Sequence, residues 1–598
     1  MAEKIEFHPI SVEDREWMNE RLREEQPEAC EYGFVNNYIW RNAYEVEVAQ
    51  VYGCGVIRYQ GEKGYLFSYP FGNGDKKAVI EALKVYCLEK LGHEYKLDLC
   101  PITDKHRKEL ITWYPGQYII DADRDDFDYV YLTEDLASLK GKKYHGKRNH
   151  IARFMDDDDW SYEPLNAENL KECRGLEKEW VSIHEDKWEE GVADETIALQ
   201  EAFDHYEEFG LVGGLIRKGG KVVAFTIGEP MNDQMMVVHF EKAYPDLQGA
   251  YPMINQQFVL HECQNYKYVN REEDVGDLGL RKAKLSYYPE ILLRKYSAVV
   301  SDVVFANEND IDQIKMIWRT CFGDEDDYIR FYLAHRFEVE NMLVIHEDGK
   351  PVSMASFLPA LLKQGEEWAP VRYVYAVATL PEYRGKGYAS RILKYASDKY
   401  KEPLILQPEG EEVEKFYEKL GFVNAFEKKS WEITASGDEE FSAGGVSATE
   451  LPDAESDLQA ASYDNSDAKN STPAQKDPGE VTLAEYQAIR DAYFDRENYV
   501  SWDEDAIAYA LLENDFCDGH VLKIGENILL YRLEKNTLRV VETTLEGEAL
   551  QSQIQKLLSS HQVPKAVYEN KGGMIKYPEG MEKPKGVSNT GYLNLTLG

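Results

Sequence analysis

The residues best suited to chemistry in this 598-residue chain lie at Arg384-Gly-Lys-Gly-Tyr-Ala389, ahead of a run in which Tyr388, Ile392, Tyr395 and Ala396 recur at helical spacing. Gly385 and Gly387 let the backbone approach a ligand with no Cβ in the way. The following helix turns its unpaired N–H groups and the positive end of its dipole toward the same point. That combination suits a pyrophosphate. Turn geometry alone also explains two glycines at a strand-to-helix junction, so the weight falls on what surrounds them. Downstream, Pro403-Leu-Ile-Leu reads as a short buried strand, and a helix with Val413, Phe416 and Leu420 on one face is stopped by Gly421.

Three segments share one plan of strand, tight polar turn and second strand. They are Leu211 to Ile227 around Gly219-Gly220, Met342 to Phe357 around Asp348-Gly349, and His520 to Leu533 around Gly525. Each is followed by a further strand and a helix-like segment. In the first, the loop Glu241-Lys-Ala-Tyr-Pro-Asp-Leu-Gln-Gly-Ala-Tyr-Pro has no arginine and no second glycine. In the third, Glu542-Thr-Thr-Leu-Glu-Gly-Glu brings like charge to where a phosphate would sit. A pyrophosphate site is therefore expected only in the second.

With its loop and downstream helix, the second segment resembles the GNAT N-acetyltransferase family, whose acyl-CoA loop reads Arg/Gln-x-x-Gly-x-Gly/Ala. Arg384 to Ala389 fits each fixed position, and Phe416-Tyr-Glu-Lys-Leu-Gly-Phe422 matches the family's second signature. The resemblance covers roughly Val303 to Glu432. It implies that Arg384, Gly385, Lys386, Gly387, Tyr388 and Ala389 hold the CoA pyrophosphate, that Val377, Ala378 and Thr379 run beside the pantetheine and thioester, and that Tyr417 protonates the departing thiolate. A packed core tyrosine is the bland alternative for Tyr417. Glu382, Glu409, Glu411, His346 and Tyr375 are open alternatives for the base, as is relay through water.

The first three hundred residues carry a basic run, Lys140-Gly-Lys-Lys-Tyr-His-Gly-Lys-Arg-Asn-His-Ile-Ala-Arg153, which reads either as a solvated helix face or as an anion site. This run, Asn36-Asn-Tyr-Ile-Trp-Arg41 and the polar segment Asn270 to Pro289 resemble the phosphatidylglycerol lysyltransferase C-terminal domain family. That family implies two GNAT-like lobes in tandem, and its membrane relatives transfer an aminoacyl group from tRNA to lipid.

Composition bounds the rest. A net charge of −41 opposes general nucleic-acid binding, and 43% hydrophobic residues suffice for packed cores. Eight scattered cysteines without a CxxC pair give no reason to expect a metal, and no signal peptide or bilayer span is legible, so a cytoplasmic protein is expected. Ser, Asp, Glu, Ala and Gly replace apolar periodicity over 434–478, as in an acidic linker.

The expected architecture is α/β (α+β), built of several GNAT-like acyl-CoA N-acyltransferase units. A tandem pair occupies 1–300, with lobes of about 1–135 and 136–300. A catalytic GNAT domain spans 301–433, and a degenerate GNAT-like unit spans 479–598. The expected reaction moves an acetyl group from acetyl-CoA, as cosubstrate, to a small-molecule or peptide amine. The alternatives are an aminoacyl-tRNA-dependent transferase working through the N-terminal domain and a non-catalytic CoA-binding scaffold.

Overall fold

A computed structural model describes the chain except for residues 1–2, 62–63, 93–94, 157–158, 184–189, 365–366, 427, 436–438, 443–480, 495–497, 571, 582–590 and 593–598. It divides into two compact units, Met1–Val304 and Phe305–Gly598. Both are mixed α/β, and the described strands form four sheets. Among the described residues, no helix is long and apolar enough to cross a membrane.

The three hairpins form as their turns dictate. Val212–Lys218 pairs antiparallel with Lys221–Asn232, Met342–Glu347 with Lys350–Gln364, and Gly519–Ile524 with Asn527–Glu534. Asp348 and Gly349 both have positive φ, 50° and 75°, the conformation that lets a two-residue turn match the twist of its strands.

In the first unit, the strand Tyr296–Val300 inserts between Asp98–Ile102 and Tyr118–Asp121 of one sheet. Asp128–Leu132 inserts between Tyr268–Asn270 and Ile291–Leu293 of the other. The two lobes therefore trade a strand each, and a single cut at 135/136 divides neither sheet correctly.

The second unit repeats the exchange. Gly573–Lys576 inserts between Leu404–Leu406 and Val423–Phe426 of the central sheet, while Lys429–Thr434 and Glu439–Ser442 extend the C-terminal sheet beside Lys565–Asn570. The expected domains 301–433 and 479–598 thus interleave, and 434–478 is not linker throughout. Its stretch Glu439–Ser442 is a paired strand, and 443–478 lies outside the described residues. Asn498–Ser501 adds to the central sheet along Leu361–Lys363. The physical reason is burial: Met574, Ile575 and Val500 are at most 2% exposed in these positions.

Candidate functional site

The central strand Glu367–Thr379 carries the site. It runs parallel to Leu404–Leu406 with partners only at Arg372 and Tyr373. Beyond Tyr373 the two strands part, leaving a cleft in the sheet along Val374 to Thr379. On the other side, against Lys350–Gln364, Ser356 faces Tyr375 while Met354 faces Ala378, so the strand holds one extra residue there. Ala376 takes a left-handed φ of 52° to accommodate it. Such a bulge re-aims the side chains around it. Val377 and Thr379 are half-buried and Ala378 is buried. Ser353 Oγ donates to Ala378 O at 3.0 Å and lies 2.8 Å from Thr379 Oγ1, which pins this stretch from behind.

The glycine turn sits at the end of this strand. Arg384 Nε donates to Thr379 O at 3.1 Å, tying the turn back to the strand. Gly385 and Gly387 have φ of 80° and 79°, which β-carbon-bearing residues rarely adopt, and a Cβ on either would meet nothing within 4 Å. Glycine is needed for the turn, and the space in front of it is open. The helix Tyr388–Tyr400 begins at Gly387 with no side-chain cap, so its first N–H groups face that space. Arg384, Gly385, Lys386 and Gly387 are exposed. Lys386 Nζ lies 4.7 Å from the Tyr383 ring centre. Tyr388 is buried and donates to Glu347, and Ala389 is half-buried.

The other two repeats differ at this point. A Cβ on Gly249 would fall 2.3 Å from His150 O, so the turn in the first unit is filled by the protein itself. In the C-terminal lobe Gly547 is also left-handed with open space in front, but Glu546 and Glu548 flank it at the start of the next helix and Glu542 is buried against Arg490, so like charge opposes a phosphate there.

Tyr417, on the helix Glu411–Lys419, is buried between Phe416 and Phe422 with ring centres 5.2 and 5.4 Å away. Burial pushes its phenol up to about 12, so it stays protonated at neutral pH. It is near enough to Tyr373 to add to the upward push that burial gives that phenol. Tyr373 and Tyr375 stack 6.3 Å apart, and Tyr375 packs on Trp318 and Tyr332 at 5.9 and 5.3 Å. Among the alternatives for a base, His346 is committed to Asp310 at 2.8 Å, both buried, and Glu382, Glu409 and Glu411 are exposed. Tyr375 lies beside the cleft.

The C-terminal lobe supplies residues that the sequence did not single out. Trp502 meets Tyr373 edge-on at 5.3 Å, and its indole Nε1 is buried without a hydrogen-bond partner among the described residues. Phe331 packs on Tyr509 and Phe516 at 5.5 and 4.7 Å. Glu513, nearly fully buried, accepts from Tyr328, Tyr509 and Arg532. The only sequence hint was the i, i+4 spacing of Tyr509 and Glu513 on one helix face.

In the first unit the basic run is not a uniform cationic face. Arg148 Nη1 donates to Gly141 O at 2.8 Å and to Leu139 O. Lys147 Nζ lies 3.7 Å from the centre of Tyr287, with burial and then Arg271 pushing it down to about 8. Asn37 donates to Glu31 O and Gly33 O at 2.6 and 2.7 Å, and Arg41 pairs with Glu201 at 2.9 Å.

The polar segment from Asn270 instead lines a carboxylate-rich crevice. His239 bridges Glu272 and Glu229 at 2.8 and 3.1 Å, and these bonds outweigh burial to hold it up at about 10. Lys295, buried, contacts Asp128 at 2.8 Å, Glu273 at 3.3 Å and also Glu31. Burial raises Asp128 to about 7 despite Lys295. Glu31 and Glu273 keep 29% and 28% of their side chains accessible, so the crevice opens outward. Cys30, Glu31, Asp128 and Glu273 bring metal-ligand atom types within 4.8 Å of one another, but the Lys295 ammonium already contacts the three carboxylates.

Comparison with known proteins agrees with this division. Residues 23–299 match the family described as phosphatidylglycerol lysyltransferase, C-terminal, and residues 302–424 match the acetyltransferase (GNAT) domain. A conserved protein of unknown function from Bacteroides thetaiotaomicron is 37% identical, covering 50% of this chain and all of its own, with a TM-score of 0.48. The L-PGS of Bacillus licheniformis is 14% identical over 49% of this chain and 92% of its own, with a TM-score of 0.35. An uncharacterized protein of Mycoplasmoides gallisepticum is 20% identical over an alignment of 202 residues that covers 31% of this chain and 60% of that protein's length. The chain thus carries a domain of the phosphatidylglycerol lysyltransferase C-terminal family over 23–299, followed by one of the GNAT acetyltransferase family over 302–424.

Proposed function

We propose that the second unit transfers an acyl group, acetyl in the simplest case, from acyl-CoA to an amine by direct attack in a ternary complex. The observation that carries this reading is the uncapped helix start at Gly387, with two left-handed glycines facing open space at the mouth of a split sheet. Backbone N–H groups from Gly385 to Ala389 would hold the pyrophosphate, helped by Arg384 and Lys386. Val377 to Thr379 would line the pantetheine arm and thioester. Holding both reactants in the cleft supplies most of the rate, and Tyr417, kept protonated by burial, gives its proton to the departing sulfur.

The test is calorimetric titration of acetyl-CoA into the full chain and into a Gly387→Glu variant, which adds strain and negative charge where the phosphates would lie. Binding to the intact chain that weakens by about 100-fold or more, roughly 2.7 kcal/mol, supports the reading. No binding to the intact chain overturns it. Thiol release with a panel of benzylamine, spermidine and an unblocked hexapeptide then separates an enzyme from a scaffold, which would bind CoA without turnover.

A second reading assigns aminoacyl transfer to the first unit. It is favoured by the crevice, where the carboxylates Glu31, Asp128, Glu229, Glu272 and Glu273 outnumber the cations paired with them, Lys295 and His239, and the excess negative charge suits the ammonium of an aminoacyl group. Turnover of charged tRNA by the full chain, lost in Glu273→Gln and kept in Gly387→Glu, is the expected result under that reading. No turnover by the intact chain removes it.

A further inference from the structure

The acyl transfer proposed above needs a group to take the proton that the attacking amine gives up. Tyr375 stands on the part of its strand beyond the last partner in Leu404–Leu406, one residue before the left-handed Ala376. Its hydroxyl lies 3.3 Å from that of Tyr328, and Tyr328 donates to Glu513 Oε1 at 2.7 Å. A phenol has one hydrogen. With that of Tyr328 committed to Glu513, the bond between the two phenols runs from Tyr375 to Tyr328. The chain therefore has a direction, from the cleft to a carboxylate carried by the helix Glu504–Phe516 of the C-terminal lobe.

Resting on the acyl-transfer reading, we infer that Glu513 is the terminal proton acceptor of the central site, reached through Tyr375 and Tyr328. It touches no substrate and acts through the two phenols. Burial first, and then neighbouring phenols and Glu513 itself, push Tyr328 and Tyr375 well above the ordinary tyrosine value. Neither is a phenolate at neutral pH, so each can pass a proton on only as it receives one. The carboxylate is held in place from every side. Tyr509 donates to the same oxygen at 3.1 Å, and Arg532 Nη2 faces the other at 3.2 Å. Arg336 and His335 lie 5.7 and 6.4 Å from the Tyr509 ring. Tyr332, Tyr373 and Cys517 also feel its charge.

The step balances. The amine nitrogen forms the C–N bond at the thioester carbonyl, the C–S bond breaks, and its electron pair leaves on sulfur. The N–H proton moves to Tyr375 as that of Tyr375 moves to Tyr328 and that of Tyr328 to Glu513. The CoA sulfur takes the Tyr417 proton. Solvent then reprotonates Tyr417 and deprotonates Glu513, leaving amide and CoA thiol with no redox change.

The experiment compares full-length wild type, Glu513→Gln, Tyr328→Phe and the double variant. The acceptors are the panel amine turned over fastest and hydroxylamine, a strong nucleophile but a much weaker base, so the N–H of its adduct is more acidic and gives its proton to water with less need of a positioned acceptor. Loss of a positioned proton acceptor costs about 10²-fold or more in kcat with the amine, with the acetyl-CoA KM unchanged and a much smaller loss with hydroxylamine. Because both substitutions interrupt one chain, the double variant loses no more than either single. Wild-type kcat in Glu513→Gln, equal losses with both acceptors, or additive losses would overturn the inference. Tyr328→Phe carries the test if Glu513→Gln fails to fold. Absence of acetyl-CoA binding by wild type would remove the acyl-transfer reading itself, a separate outcome visible before any variant is made.

Discussion

A chain ended after Ser442 is expected to lose the fold of its GNAT part, although the residues matched to that family stop at 424. The central sheet would lack Gly573–Lys576, the strand that separates Leu404–Leu406 from Val423–Phe426. It would also lack Asn498–Ser501 along Leu361–Lys363. Met574, Ile575 and Val500 are at most 2% exposed, and burying each such side chain contributes about 1.5–3 kcal/mol. That sum alone rivals the roughly 5–15 kcal/mol by which a whole domain is stable. The opened edges of Leu404–Leu406 and Val423–Phe426 would also leave backbone groups unpaired and prone to aggregate. The measurement is thermal unfolding with hydrogen exchange at Leu404–Leu406. The full-length variant Met574→Ala tests the same contact in milder form and should cost about 2–5 kcal/mol. A truncated chain with a cooperative transition and protected amides at Leu404–Leu406 would refute the argument.

The sequence makes local geometry legible and leaves strand exchange hidden, and the reason is sequence separation. The turns at Asp348-Gly349, Gly219-Gly220 and Gly385–Gly387 are read correctly because positive φ needs residues that tolerate it, and that requirement acts within two or three positions. Tyr296-Ser-Ala-Val-Val reads equally well as the last strand of its own lobe or of another, since alternation fixes a strand's faces without naming its neighbours. The same limit applies at the site. The glycine turn lies in one stretch of sequence, whereas Tyr328 and Glu513 stand 185 residues apart, and the Tyr375–Tyr328–Glu513 chain exists only because the C-terminal lobe packs against the central one. The basic run misleads for a related reason. Charge density predicts a cationic surface, but Arg148 and Lys147 spend their donors and charge on Gly141 O and the Tyr287 face.

Replacing Lys295 by methionine is expected to destabilise the first unit by about 3–5 kcal/mol at neutral pH, because it leaves charge buried without a partner. The ammonium is 3% exposed and contacts Asp128, Glu273 and Glu31, carboxylates that converge from both lobes. Burial already raises Asp128 to about 7 and moves Glu31 in the same direction, with Lys295 opposing both. Without Lys295 that opposition is gone and both rise further. A carboxylate whose folded value lies above its unfolded one binds protons more tightly when folded. Its stabilising contribution is complete below the unfolded value and is lost as pH rises through the folded one. The variant should therefore regain stability on going from about pH 8 to about pH 5, where wild type changes less. Glu25 sets the lower end of the window. Burial works against its charge, but His106, Lys105 and Lys76 hold it down at about 2, so its contribution is lost as pH falls from the ordinary carboxylate range toward that value. Melting curves of both proteins across this range decide the matter. A Lys295→Met chain that melts with wild type at about pH 8, or that weakens as pH is lowered toward 5, would mean that the crevice carboxylates are balanced by groups other than Lys295.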